Sequence, residues 1–187
     1  MKRLLLLSIA LLFAFNLRAQ VKEDKLRKDT INSITNSISY DRLYSIVIEN
    51  LKKLEGLRLK SYNGVGGRTI GYGHQIGENF TKSEITIEQA DSILKNDYDN
   101  AINFVRKETG FNEHNFPEKL LALASFAFNV GEGMFLKSRL LLYVKGNKLL
   151  EEIKAEFERW VKANGKENKN LKRMRDFEFN LYSGKIK

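Results

Sequence analysis

The sequence predicts an α+β fold: a small N-terminal lobe built around a hairpin, followed by a larger helical lobe. Three observations carry this. A segment with helical apolar spacing ends at Glu55-Gly56. Two short strand-like runs follow at once, on either side of the glycine turn NGVGG at residues 63–67. From Thr86 onward every periodic segment is helical, including the almost wholly apolar run LLALASFAFNV. One short β segment with the helices grouped after it is the order of an α+β domain.

Residues 1–19 read MKRLLLLSIALLFAFNLRA. Lys2 and Arg3 form a basic start, an apolar run covers residues 4–15, and the segment closes on the small residue Ala19. That order is the n-, h- and c-region pattern of a secretory signal peptide. The apolar run is shorter than the ~20 residues that span a bilayer comfortably. An uncleaved anchor is the other reading, favoured by the bulk of Leu17 at −3. Cleavage after Ala19 predicts an exported protein, periplasmic or secreted, with no stable membrane insertion afterwards. The chain contains no cysteine, so a lipidated cysteine, a disulfide framework and thiolate metal ligands are all excluded. His74 and His114 are the only histidines and show no ligand spacing, so neither metal nor cofactor is expected.

The net charge of +9 favours a polyanionic partner. Removing residues 1–19 takes away Lys2, Arg3 and Arg18 and no acid, so +9 becomes +6. For an exported protein the polyanion at hand is the cell wall or envelope. A nucleic-acid partner is disfavoured by the leader and by the lack of any recognised nucleic-acid motif.

The polar stretch 20–39 predicts an extension that packs poorly, as a tether or a weak leading helix. The domain proper is expected at 40–187. Within residues 40–54, Leu43, Ile46, Val47, Leu51 and Leu54 fall on one helical stripe. Gly56 ends that helix and leaves Glu55 at its C-terminal end, where the negative end of the helix dipole raises a carboxyl's pKa. A solvated helix-end glutamate is the plain reading; a general acid needs such a raised value. Residues 58–62 and 68–72 are strand candidates, with Asn63-Gly64 as the hairpin signal. Residues 86–107 form a long helix opened by Thr86-Ile-Glu-Gln89, a capping-box sequence. Pro117 opens the apolar helix at 118–130, and Gly131 closes it. A helix apolar on every side belongs at the centre of a helical lobe. Residues 138–145, 149–162 and 171–182 complete that lobe.

In this order the fragments EGLRLKSY, TIGYGH, ITIEQADSIL, SFAFNVG, RWVKANGK and LKRMRDFEFNLYSG resemble the phage-type lysozymes, glycoside hydrolase family 24. The resemblance runs from about Tyr40 to the C-terminus. It implies a lysozyme-like fold with a cleft between the lobes. It also implies a monomeric enzyme whose partner is peptidoglycan, cut at the MurNAc–GlcNAc β-1,4 bond. Glu55 then matches the general acid and Thr69 the active-site threonine that helps place the attacking water. Arg173 matches an arginine of the last helix that lies against the acid. His74 matches a structural position bracing the hairpin, and Asn129 an amide beside the cleft able to bond a sugar N-acetyl group. Phe126, Phe128 and Trp160 are expected in the core.

One departure is plain. The family usually carries Asp, sometimes Cys, nine residues after the acid and Thr fifteen after. Here position 64 is Gly, Thr69 stands fourteen after, and no acid occurs between Gly56 and Gly77. Asn63 is the nearest polar replacement, able to hold water or a sugar hydroxyl but unable to act as a carboxylate base. Three outcomes remain open: a hydrolase working without that carboxylate, a lytic transglycosylase giving 1,6-anhydro products, and a non-catalytic peptidoglycan binder.

Overall fold

A computed structural model describes the backbone of residues 2–64, 67–77 and 80–186, and their side chains except those of 2–17, 19 and 36. The chain divides into two compact units, Met1–Ser39 and Tyr40–Lys187. Helix α1 (Lys2–Glu55) includes the whole of residues 20–39. In that stretch Val21, Leu26, Ile31, Ile34 and Ile38 are all exposed. The apolar core of the expected leader falls on side chains outside the described residues. Among the described residues no helix is long and apolar enough to cross a membrane.

In the second unit, residues 40–55 of α1 bury Leu43, Val47 and Leu51 of the predicted stripe together with Ile48, which lay outside it, while Ile46 and Leu54 are half-buried. Gly56 ends the helix with φ +74°, its N–H bonding the carbonyl of Lys52. The three-stranded antiparallel sheet runs in the order β1 (Arg58–Gly64), β2 (Gly67–Gly71), β3 (His74–Gln75). Asn63 and Gly64 are paired strand residues, opposite Arg68 and Gly67. The turn is therefore tighter than the sequence suggested, and its two central residues lie outside the described set. The two-residue strand β3 has too short a pattern to be seen in sequence.

Helix α2 (Ile87–Thr109) starts with the predicted capping box: Thr86 Oγ1 accepts from Gln89 N–H, and Gln89 Oε1 accepts from Thr86 N–H. Its buried face is Ala90, Leu94, Tyr98, Ala101, Ile102 and Val105, with Ile87 outside it. Helix α3 (Pro117–Val130) is the centre of the unit: every residue from Leu120 to Ala127 is buried. Helix α2 packs against it, and Tyr98 donates its hydroxyl hydrogen bond to the carbonyl of Leu121.

Helices α4 (Glu132–Leu136), α5 (Arg139–Lys145) and α6 (Leu150–Glu158) follow, and the predicted last turn of α6 is absent. Residues 162–167 instead form a small hairpin, β4 (Lys162–Ala163) with β5 (Lys166–Glu167), whose turn needs Gly165 at φ +77°. Helix α7 (Lys169–Tyr182) closes over α3. Phe126 of α3 is the aromatic hub. It meets Phe135, Phe157 and Trp160 with ring centroids 6.1, 5.6 and 5.4 Å away. Trp160 and Phe126 are therefore core packing, as expected.

Candidate functional site

Glu55 ends α1 half-buried and lines a cleft of ≈ 520 Å³. The cleft is bounded by Gly73, His74 and Asp97 on one side and by Phe128, Asn129 and Glu132 on the other. Phe128 both packs against the core, as expected, and lines the cleft: α3 is buried all round only up to Ala127, and its last turn emerges. A second space of ≈ 610 Å³ under the hairpin shares Gly73 and Gln75 with the first, and Thr69, Tyr62, Asn63 and Gly64 line it.

Gly73 is the hinge between these spaces. Its φ is +97°, and a Cβ there would lie 4.0 Å from Glu55 Oε2. Glycine meets the backbone requirement and keeps the carboxyl uncovered.

Burial pushes the Glu55 carboxyl above its ordinary value, while the hydrogen bond from Asn129 and the charge of Arg175 pull it back. Asn129 Nδ2 donates to Glu55 Oε1 at 3.4 Å, and Arg175 Nη2 donates to Asn129 Oδ1 at 2.9 Å. A guanidinium can only donate, so the Asn129 oxygen must face Arg175 and its NH₂ must face the carboxylate. The amide expected to bind sugar is thus held by protein at both ends.

The arginine at the acid is Arg175, which is 1% exposed. Arg173, the residue expected there, is exposed. Two residues along a helix turn its side chain through about 200°, so the two arginines face opposite ways. Arg175 also pairs with the fully buried Glu178, whose Oε2 lies 2.9 Å from Nε, and Ser125 Oγ donates to Glu178 Oε1 at 2.9 Å. Burial raises Glu178 against the pull of both. The sequence reading missed Glu178; the signal available was its i+3 spacing from Arg175 on the face that carries Met174, Phe179 and Leu181.

His74 Nδ1 lies 2.7 Å from Asp97 Oδ2, joining β3 to α2. Asp91 of α2 makes two further ties: it accepts from Lys52 Nζ at 2.8 Å and from the Tyr72 hydroxyl at 3.0 Å. These links fix α1, the sheet and α2 around the cleft.

Thr69 is buried, and its hydroxyl donates to the carbonyl of Gly67 at 3.1 Å. It pairs with Tyr62, whereas Asn63 pairs with Arg68. Strand side chains alternate, so Tyr62, Gly64 and Thr69 share one face and Ser61, Asn63 and Arg68 the other. The Arg68 guanidinium accordingly donates to Ser61 Oγ at 3.1 Å from Nη2. Asn63 therefore does not replace the missing carboxylate on the Thr69 face; it sits exposed at the rim.

The family model for phage lysozyme matches residues 52–178. The chain belongs to the phage lysozyme family. It is 37% identical over 142 residues to the endolysin of Bacillus phage PZA, covering 73% of this chain and 53% of that one. The chain spans about half the length of the curated relatives it matches first. Among solved structures, the muramidase domain of SpmX from Asticaccaulis excentricus superposes with a TM-score of 0.62 at 27% identity, covering 73% of this chain and 94% of that one. A mutant of P22 lysozyme gives 0.59 at 29% identity, covering 74% and 96%. The fold is lysozyme-like, α+β, with the matched region holding Glu55, Thr69, His74, Asn129 and both arginines.

Proposed function

We propose that this phage lysozyme family member degrades peptidoglycan, cleaving the MurNAc–GlcNAc β-1,4 bond with Glu55 as general acid. The observation that carries this is Glu55 itself: a half-buried carboxyl at a helix end, opening on a cleft, held by Asn129 and raised by burial. Protonating the departing glycosidic oxygen requires a carboxyl that keeps its proton near neutral pH. Thr69 stands on the hairpin where a water or sugar hydroxyl would be held. His74 positions the sheet through Asp97.

The reaction after protonation has two versions. Inverting hydrolysis uses a base ~6.5–9.5 Å from the acid, on the opposite face of the sugar. No carboxylate stands on the Thr69 face of the hairpin, and the other described acids lining the cleft are Asp97, already paired with His74, and Glu132. That vacancy favours the second version, a lytic transglycosylase in which the sugar's own 6-hydroxyl attacks. Mass spectrometry of muropeptides from purified peptidoglycan separates them. Reducing ends identify the hydrolase, and products lighter by one water identify the transglycosylase. Binding to wall without soluble products would leave a non-catalytic binder. Export on the leader at residues 1–19 would bring the enzyme to its substrate; localisation of tagged protein with and without those residues tests it.

A further inference from the structure

We propose that Glu178 is a positioning residue for the acid: it takes up the charge of Arg175, so that Glu55 faces the cleft without a direct cationic partner. The proposal rests on Glu55 as the acid.

The cluster holds two carboxyls and one guanidinium. Arg175 cannot shed its charge, and at 1% exposure that charge must be met within the protein. Glu178, itself 0% exposed, meets it twice, with Oε2 2.9 Å from Nε and Oε1 accepting from Nη2 at 3.2 Å. Glu55 reaches Arg175 only through the Asn129 amide. Two carboxyls around one cation titrate as a pair, and the neutral state of the cluster has one ionised and one protonated. Burial pushes the Glu178 carboxyl up to about 7, but its direct contacts with the guanidinium favour its charged form, whereas Glu55 has the Asn129 amide between itself and the cation. The guanidinium also lies over the Phe126 ring, its carbon 4.6 Å from the ring centroid, and that ring supplies no competing carboxylate.

The groups facing Glu178 come from four elements: Arg175 on α7, Ser125 on α3, Tyr98 on α2 and Glu55 on α1. Of these Arg175 is the only cation. Packing alone does not call for this arrangement, since apolar residues of similar volume commonly replace a buried ion pair without loss of stability. What the ionic version adds is control of charge beside Glu55.

The test is a ¹³C-carboxyl NMR titration of Glu55, which reads its midpoint whether or not turnover occurs. In Glu178→Gln the uncompensated Arg175 should lower that midpoint by about one unit or more, and the alkaline limb of the lytic rate should move down with it. In the Arg175→Met, Glu178→Met double variant, where both charges vanish together, the midpoint should stay within about half a unit of the parent's. An unchanged or higher midpoint in Glu178→Gln overturns the proposal. Should that variant fail to fold, a rise of a unit or more in the double variant overturns it equally, because Arg175 would then have been acting on Glu55 unopposed. Lysis by Glu55→Gln would instead remove the acid assignment, leaving the measured coupling as a structural fact without catalytic meaning.

Discussion

Gly64 and Thr69 face each other so closely that a Cβ on residue 64 would stand 2.6 Å from the threonine hydroxyl oxygen. The absent acid of the hairpin is therefore more than a missing side chain. Thr69 occupies the space that a side chain at 64 would use.

Gly64→Ala should accordingly destabilise the protein by about 1–3 kcal/mol, the usual cost of overpacking. The penalty should shrink sharply in a Thr69→Ala background, since the colliding atom is then gone. A double-mutant cycle by denaturant unfolding measures the coupling. Gly64→Asp should fail to improve hydrolysis, because the carboxylate displaces Thr69. Asn63→Asp should leave the product distribution unchanged, since residue 63 lies on the other face.

Glu55→Gln should abolish lysis and yet raise the melting temperature by a few degrees at neutral pH. The sign follows from burial. A carboxyl raised on folding contributes its full stability below its ordinary value, and that contribution is lost as pH rises through the folded value. A neutral amide of the same shape escapes the loss. The gain should therefore vanish in acid, and a gain that persists there would contradict the assignment of burial as the cause.

Arg173→Gln and Arg175→Gln should differ widely. The first removes an exposed charge and should change stability by no more than about 0.5 kcal/mol. The second strands the buried Glu178 and should cost about 3–5 kcal/mol. Chemical denaturation of both variants side by side gives the comparison directly.

Asp97→Asn weakens the tie between β3 and α2. A part-buried, charge-assisted contact of this kind carries about 1–2 kcal/mol. Lytic activity should fall less than in Glu55→Gln, because the pair positions the sheet and leaves the acid in place. Unfolding and turbidity assays on the same preparation check both statements.

Much of the fold was legible because its signals are local. The capping box at Thr86, Pro117 at the start of α3 and the apolar stripe from Leu43 to Leu54 each depend on residues within a few positions. Glu55 was legible for the same reason: a helix end is set by the glycine beside it. Other features depend on distant partners. The sequence 171–182 offers two arginines, of which Arg175 shares the apolar face with Glu178, but only packing against α3 shows that this face, charges included, is buried. The pairing register, a property of two strands together, decides that Asn63 faces away from Thr69. Likewise the amide of Asn129 joins α1 to α7 across α3, three elements far apart in the chain. The sequence by itself thus determined the family's scaffold and the helix-end position of Glu55, through local backbone preference and apolar period. The tertiary structure decided which charges surround that acid, because desolvation and hydrogen-bond reach act between neighbours in space.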